Sequence, residues 1–241
     1  NGTRLEPSVI AANDLCVANS MYLADYCRQY NPRSFYVGQG CDISLFEEGM
    51  SAALPPELVA LSGRTVIGYV GALHGQRLDE ALLLKMAELR PDWTIILVGP
   101  EDEVFRRSLL HNYPNVFFTG KKELKELPAY IRGFDVCINP QVVNELTIGN
   151  YPRKVDEYLA MGKPVVATKT RAMEAFADHV YLADTRDEFL DMIDRALKEN
   201  DERKTEARRA FAGSHTWANS VQAIYEAINE VGQFDRTEQH V

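Results

Sequence analysis

The sequence predicts an α/β protein built on a doubly wound parallel sheet, and three observations predict it. From Arg64 onward, strands of four to six residues alternate with helical stretches, the pattern of successive βαβ units. Those strands are continuous apolar runs (VIGYVG, TIILV, VCIN, PVVAT) rather than alternating ones, as a sheet covered by helices on both faces requires. The longest loop of the regular region, residues 140–151, follows one of these strands, at the sheet edge where ligands of such folds bind.

Taken in order, residues 14–18 read as a short strand. Residues 20–30 read as a helix, with Ser20 at its N-cap and Met21, Leu23, Ala24 and Cys27 along one side. Phe35-Tyr36-Val37 is a second extended run, closed by the turn-prone Gly38-Gln39-Gly40. Residues 47–64 have the composition of a linker, with Gly49, Pro55, Pro56, Ser62 and Gly63. Val66–Gly71 is a strand, and Leu78–Leu89 a helix with Leu78, Ala81, Leu82, Lys85, Met86 and Leu89 at helical spacing, ended by Pro91. Thr94–Val98 is the next strand, closed by Gly99-Pro100, and residues 101–111 read as one helix. Val116–Thr119 and Val136–Asn139 are strands around a helix at Leu124–Gly133. After the long loop come a helix at 152–161, strands Val165–Thr168 and Val180–Leu182, helices at 186–199 and 201–212, and a last helix from Thr216 to about Val231.

Composition bounds the function. Of 241 residues, 46% are hydrophobic and 25% charged, as in ordinary globular chains, and the net charge of −9 argues against a sequence-independent grip on nucleic acid. An acidic protein can still hold a phosphorylated small ligand through backbone N–H groups and a few placed cations. The four cysteines, Cys16, Cys27, Cys41 and Cys137, show no CxxC or metal-ligand spacing. Cys16 and Cys137 lie in apolar runs, which suits reduced, buried thiols and a reducing, cytoplasmic compartment. No run approaches the ~20 apolar residues of a membrane span. The chain begins at Asn1 rather than Met, so the lack of a visible leader carries no weight.

Three stretches carry candidate chemistry. Gly71-Ala72-Leu73-His74-Gly75 joins a strand to its helix, where glycine lets backbone amides approach a phosphate; His74 and Arg77 could add a contact there or simply be solvated. In Asn144-Glu145-Leu146-Thr147, Glu145 and Thr147 could orient sugar hydroxyls, or Asn144 and Thr147 could cap a turn. In PRKVDEYLAMGKP, Pro152 suits a first helical turn, Gly162 the C′ position, and Pro164 forbids continuation. Lys154 and Glu157 then share one helical face: a cation for a diphosphate and a carboxylate for two ribose hydroxyls, or a solvated ion pair. His111, His179, His215 and His240 show no ligand spacing and are assigned no chemistry.

NELTIGNYPRKVDEYLAMGKPVVAT, residues 144–168, resembles the donor-site signature of GT-B fold glycosyltransferases, in the large retaining group of bacterial cell-surface sugar transferases (group 1, family 4-like). The resemblance covers nearly the whole chain in the family's order. SMYLADYCRQYNPRSFYVGQGCDISLF is similar to the end of the family's N-terminal domain, and His215-Thr216-Trp217 to its His-x-Trp before the last helix. It implies a Rossmann-like GT-B donor domain at residues 65–213, with residues 1–46 as the end of the N-terminal domain, 47–64 as interdomain linker and 214–241 as C-terminal helix and tail. It further implies retaining transfer from a UDP- or GDP-linked sugar, with no cofactor or essential metal. Gly71 matches the first phosphate-facing loop, Gly120 and Lys121 the loop whose backbone reads the base, Lys154 the lysine near the phosphates, and Glu157 the ribose-binding glutamate.

Two departures stand out. The position eight residues before Glu157, where the family carries the first glutamate of a pair, is Gly149, with Glu145 as the candidate substitute. Ala72 stands where an arginine follows the first-loop glycine, so Arg77 or Lys154 would supply the phosphate charge. The resemblance also implies that the glycan or lipid-linked acceptor is held by a domain before residue 1. The chain alone is then expected to bind donor without turning over, no catalytic residue is assigned, and the full-length enzyme is expected in the cytoplasm or peripherally at the inner membrane face. The competing readings are a nucleotide-sugar epimerase or hydrolase of the same fold, and a non-catalytic nucleotide-binding or protein-interaction module.

Overall fold

The computed structural model describes residues 2–238, with side chains described for residues 4–232. It opens with a helix the hydropathy pattern does not announce, α1 (Gly2–Ala11). Strand β1 (Cys16–Ala18), α2 (Met21–Arg28) and β2 (Ser34–Tyr36) follow, the two strands pairing in parallel. The Ser20 hydroxyl accepts the Leu23 N–H, the expected cap of α2. Residues 47–64 are not open coil. They contain the end of α3 (Ile43–Gly49) and all of α4 (Pro56–Val59), and Phe46 and Leu58 are buried in one core cluster with Ile131 and Phe134.

The main body runs β3 (Thr65–Val70), α5 (Glu80–Leu89), β4 (Trp93–Val98), α6 (Glu103–Arg106), β5 (Val116–Gly120), α7 (Leu127–Arg132), β6 (Val136–Asn139), α8 (Arg153–Ala160), β7 (Val165–Thr168), β8 (Tyr181–Ala183), α9 (Arg186–Glu199), α10 (Glu202–Gly213) and α11 (Trp217–Glu238). The single helix expected over 101–111 is broken into α6 and a 3-10 turn at Leu109–Asn112. Between them the Ser108 hydroxyl takes the Leu110 N–H, a local bond that competes with helix continuation. A further 3-10 turn at Arg171–Phe176 follows β7.

The six main strands are all parallel, in the order β5-β4-β3-β6-β7-β8. This is the expected Rossmann-like sheet, and the strand order reverses between β3 and β6. Both faces are covered. Val66 and Val70 join a core cluster with Val155, Tyr158 and Leu159 of α8, while Ile67 and Tyr69 join another with Leu82, Leu83 and Met86 of α5 and Phe189 of α9. Cys41 and Cys137 are buried, and burial pushes each thiol up to about 12; Cys16 is only half-buried, and all four cysteines are free thiols. Among the described residues no helix is long and apolar enough to cross a membrane. His240 lies outside the described residues.

Candidate functional site

The crevice begins where β3 and β6 part. They pair only at Ile67–Val136 and Gly68–Cys137, after which the Val70 N–H donates to the Tyr158 hydroxyl of α8 at 2.7 Å instead of to a strand. That bond holds α8 against the end of β3 while the strands separate. Gly162, at φ +72°, ends α8 as its sequence suggests, and the Lys163 ammonium donates to the carbonyls of Arg132 and Phe134, both at 2.7 Å.

Three turns at the carboxyl edge are laced together. Gly71 N donates to Val98 O at 2.9 Å, Leu73 N to Pro100 O at 2.8 Å, and Gly99 N to Gly120 O at 3.0 Å. Gly71 and Gly99 have φ of +145° and +151°, and a Cβ on Gly99 would lie 1.9 Å from Gly71 O, so only glycine allows these two turns to touch. The long loop is zipped to the first turn: Val142 N donates to Arg77 O at 2.9 Å and the Asn144 amide to Gln76 O at 2.8 Å. Such lacing pre-organises a site before any ligand arrives.

A cleft of about 540 Å³ lies between these turns and α8. Of the residues singled out from sequence, Gly71, His74, Arg77, Lys154 and Glu157 line it. Gly120 ends β5, two strands away on the same edge, with Lys121 just after it, and neither lines the cleft. Glu145 is exposed on its turn, also outside the cleft lining. Thr147, expected to orient sugar hydroxyls, is instead fully enclosed: its hydroxyl takes the Asn144 N–H at 3.0 Å and donates back to the Val142 carbonyl. It staples the loop, which is the turn-capping alternative. A second cleft of about 530 Å³ lies beyond β8, between α9 and α10. There Lys204 and Arg195 pair with Glu199, and Lys169 with Asp184.

The electrostatics centre on α8. Glu157 is buried, which raises its carboxyl above the usual range; Arg153, 3.3 Å away, and Lys154 pull it back down. The Lys154 ammonium makes no salt bridge among the described residues; it donates to the Tyr69 hydroxyl at 2.7 Å and lies 4.2 Å from that ring's centre. Asp156 is fully enclosed, accepts from the Tyr151 hydroxyl at 2.8 Å, and lies 2.7 Å from His215 Nδ1. His215 thereby gains a structural task that its spacing does not reveal. Its own carbonyl accepts from Cys41 N at 2.9 Å, so the start of α11 and residues 38–41 run side by side. Among the described residues no group of three or more His, Cys, Asp or Glu side chains could hold a metal.

Sequence reading missed Tyr69 and Asn139. Tyr69 sits inside an apolar run that gives no signal, whereas Asn139, a polar residue ending such a run, could have flagged itself. Its Nδ2 is, among the described residues, the one buried side-chain nitrogen or oxygen without a hydrogen-bond partner, and Asn139 lines the cleft. A buried orphan donor calls for an explanation, and a ligand is one.

The structure also accounts for Gly149. The Ser20 hydroxyl donates to Gly149 O at 2.8 Å, and a Cβ there would lie 2.5 Å from the Tyr22 ring. Helix α2 occupies the space a side chain would need. Gly149→Glu, which restores the resembled spacing, should therefore cost about 1–3 kcal/mol of stability by overpacking. A thermal melt unchanged from wild type would mean that the loop can move off α2 freely.

Comparison with known proteins gives a consistent result. Residues 64–199 match the family model described as glycosyl transferases group 1. The chain is 32% identical over 191 residues to a protein named as a teichuronic acid biosynthesis glycosyltransferase, TuaH of Bacillus subtilis, covering 75% of this chain and 47% of that one. It is 30% identical over 141 residues to a GDP-mannose-dependent alpha-mannosyltransferase of Mycolicibacterium smegmatis, covering 56% and 34%. It thus spans about half or less of these curated relatives. Among solved structures, HepE of Anabaena in complex with UDP superposes with a TM-score of 0.77 at 20% identity, over 94% of this chain and 67% of that one, a likeness of fold.

Proposed function

This chain belongs to the group 1 glycosyltransferases, and on that footing we propose that it is the donor-binding part of an enzyme transferring a sugar from a nucleotide-diphosphate sugar. The observation that carries this reading is the switch-point cleft, where the Gly71 turn, Lys154 and Glu157 face a common space. Lys154 and the amides of the first turn would meet the diphosphate, with Arg77 as a second cation in place of the arginine missing at Ala72. Glu157 would accept the ribose hydroxyls, and backbone near Gly120 and Lys121 would read a uracil or guanine base. The transfer is proposed to retain anomeric configuration and to use a cell-surface glycan or related lipid-linked acceptor, held by a domain this chain does not contain. The chain alone then binds donor without catalysing transfer. The full enzyme would work in the cytoplasm, peripherally at the inner membrane face.

The test is a thermal-shift panel of UDP, GDP, ADP and their sugars. A ligand at 100 Kd stabilises by about 2.7 kcal/mol, so a binding nucleotide is plainly visible. No shift with any nucleotide at millimolar concentration would favour a non-catalytic interaction module.

The pH dependence follows from Glu157. The ionised carboxylate is the form that accepts hydroxyl protons, and burial holds its folded-state value above the usual carboxylate range. Nucleotide affinity should therefore fall with decreasing pH, starting at a higher pH than an exposed carboxylate would dictate. Glu157→Gln should weaken binding at neutral pH by roughly tenfold or more, the loss of charge-assisted hydrogen bonds, and flatten the pH profile. A calorimetric profile of the same shape in both proteins would remove Glu157 from the ribose site.

A further inference from the structure

We propose that Tyr69 is the positioning residue for the diphosphate-binding cation, a role that rests on the donor reading above. Three contacts converge on this side chain. Its hydroxyl donates to Ala72 O at 3.2 Å, which fixes the oxygen's orientation, and the same oxygen accepts from Lys154 Nζ at 2.7 Å. The ammonium lies 4.2 Å from the ring centre, off the hydroxyl end of the ring. Tyr69 itself is buried at the end of β3, only 3% exposed, so it has little freedom to follow the lysine elsewhere.

The ammonium is thereby delivered to the first turn. Lys154 Nζ lies 2.8 Å from where a Cβ on Gly71 would be, a place that only a glycine leaves open. A carboxylate could hold the lysine equally well, but it would neutralise the charge the ligand needs. A neutral hydroxyl directs the ammonium without neutralising it. A lysine ordered before binding also loses less conformational freedom when the ligand arrives. Since residue 72 is alanine, the cation that serves this turn comes from α8, and Tyr69 is what brings it across.

The test titrates UDP and GDP, each against its nucleoside, into the whole chain and into Tyr69→Phe, Lys154→Ala and the double variant. Tyr69→Phe keeps ring and packing and loses only the hydroxyl. It should weaken the diphosphate by roughly tenfold or more, the worth of one hydrogen bond to a charged group, leave the nucleoside unchanged, and add nothing in the Lys154→Ala background. Reductive methylation of Lys154, followed by peptide mass spectrometry, should proceed faster in Tyr69→Phe than in wild type. Lys154→Gln, which keeps a donor for the Tyr69 hydroxyl without the charge, should lose the diphosphate increment and keep nucleoside binding even if Tyr69→Phe folds poorly. Equal losses for nucleoside and diphosphate, an undiminished loss in the double variant, or an unchanged methylation rate would overturn the role. Wild-type protein that binds neither nucleoside nor diphosphate would instead overturn the donor reading, and the diphosphate role with it.

Discussion

Gly99→Ala is expected to destabilise the chain by about 2–4 kcal/mol and to weaken nucleotide binding at the same time. The added Cβ would lie 1.9 Å from Gly71 O, a backbone atom with no rotamer to escape into. Overpacking of this kind costs about 1–3 kcal/mol, and forcing a side chain onto φ +151° adds strain on the order of 1–3 kcal/mol. For a chain of this size 1 kcal/mol moves the midpoint by about 2–4 °C, so thermal unfolding should show a drop of roughly 4–16 °C. Relief can come only by pushing the β4 turn off the β3 turn, which stretches the Gly71 N to Val98 O bond and displaces the amides that face the cleft. Gly63→Ala is the control: φ there is +85° but nothing lies within 4 Å of the new Cβ, so strain acts without the clash. If both variants melt alike, the contact between the two turns contributes nothing beyond local strain.

Gly99 also marks where sequence reading runs out. As a residue closing a strand it looks like any βα-turn glycine, and its closest contact is 28 residues away in the chain. The parallel sheet, its switch point and α8 were legible because each rests on a local signal: apolar runs, helical spacing, and the Pro-to-Gly frame of 152–162. Lys154 and Glu157 followed, since residues three apart share a helical face whatever surrounds them. Thr147 stays open between two readings because a hydroxyl that caps a turn and one that faces a ligand are identical in sequence; the fold gives it the capping bonds. Residues 47–64 looked like a linker because glycine and proline count against regular structure, while the burial of Leu58 that fixes them depends on a distant helix. Gly149 reads as the loss of a glutamate, but its cause is Tyr22, on a helix more than a hundred residues earlier.

Asp156→Ala carries the other large expected effect, again about 2–4 kcal/mol. The substitution takes away the carboxylate that pairs with the Tyr151 hydroxyl at 2.8 Å and with His215 Nδ1 at 2.7 Å, leaving these two groups only their longer 3.4 Å contact with each other, and poorly satisfied buried polar groups cost about 1–3 kcal/mol each. Asp156→Asn, of the same shape and able to bond to both neighbours, should recover much of the loss. The pH dependence separates the charge from the shape. Burial raises the folded-state value of Asp156, against the opposing hydrogen bonds from His215 and Tyr151. Over the window between the ordinary carboxylate value and the raised one, the folded chain therefore holds a proton that the unfolded chain has released. Stability from this group is fullest below that window and declines as pH rises through it. Glu157, also raised by burial, acts with the same sign, so Asp156→Asn should reduce the decline and the double variant with Glu157→Gln should reduce it further. Unfolding midpoints that fall equally steeply with pH in all three proteins would place the titrating group elsewhere. The position of Asp156 gives the result a second consequence. It follows Lys154 by two residues and precedes Glu157 by one, and through His215 it is tied to the strand-like contact of Thr216 with Cys41. Asp156→Ala should thus weaken nucleotide binding without touching the ligand, and Asp156→Asn should restore it together with the stability.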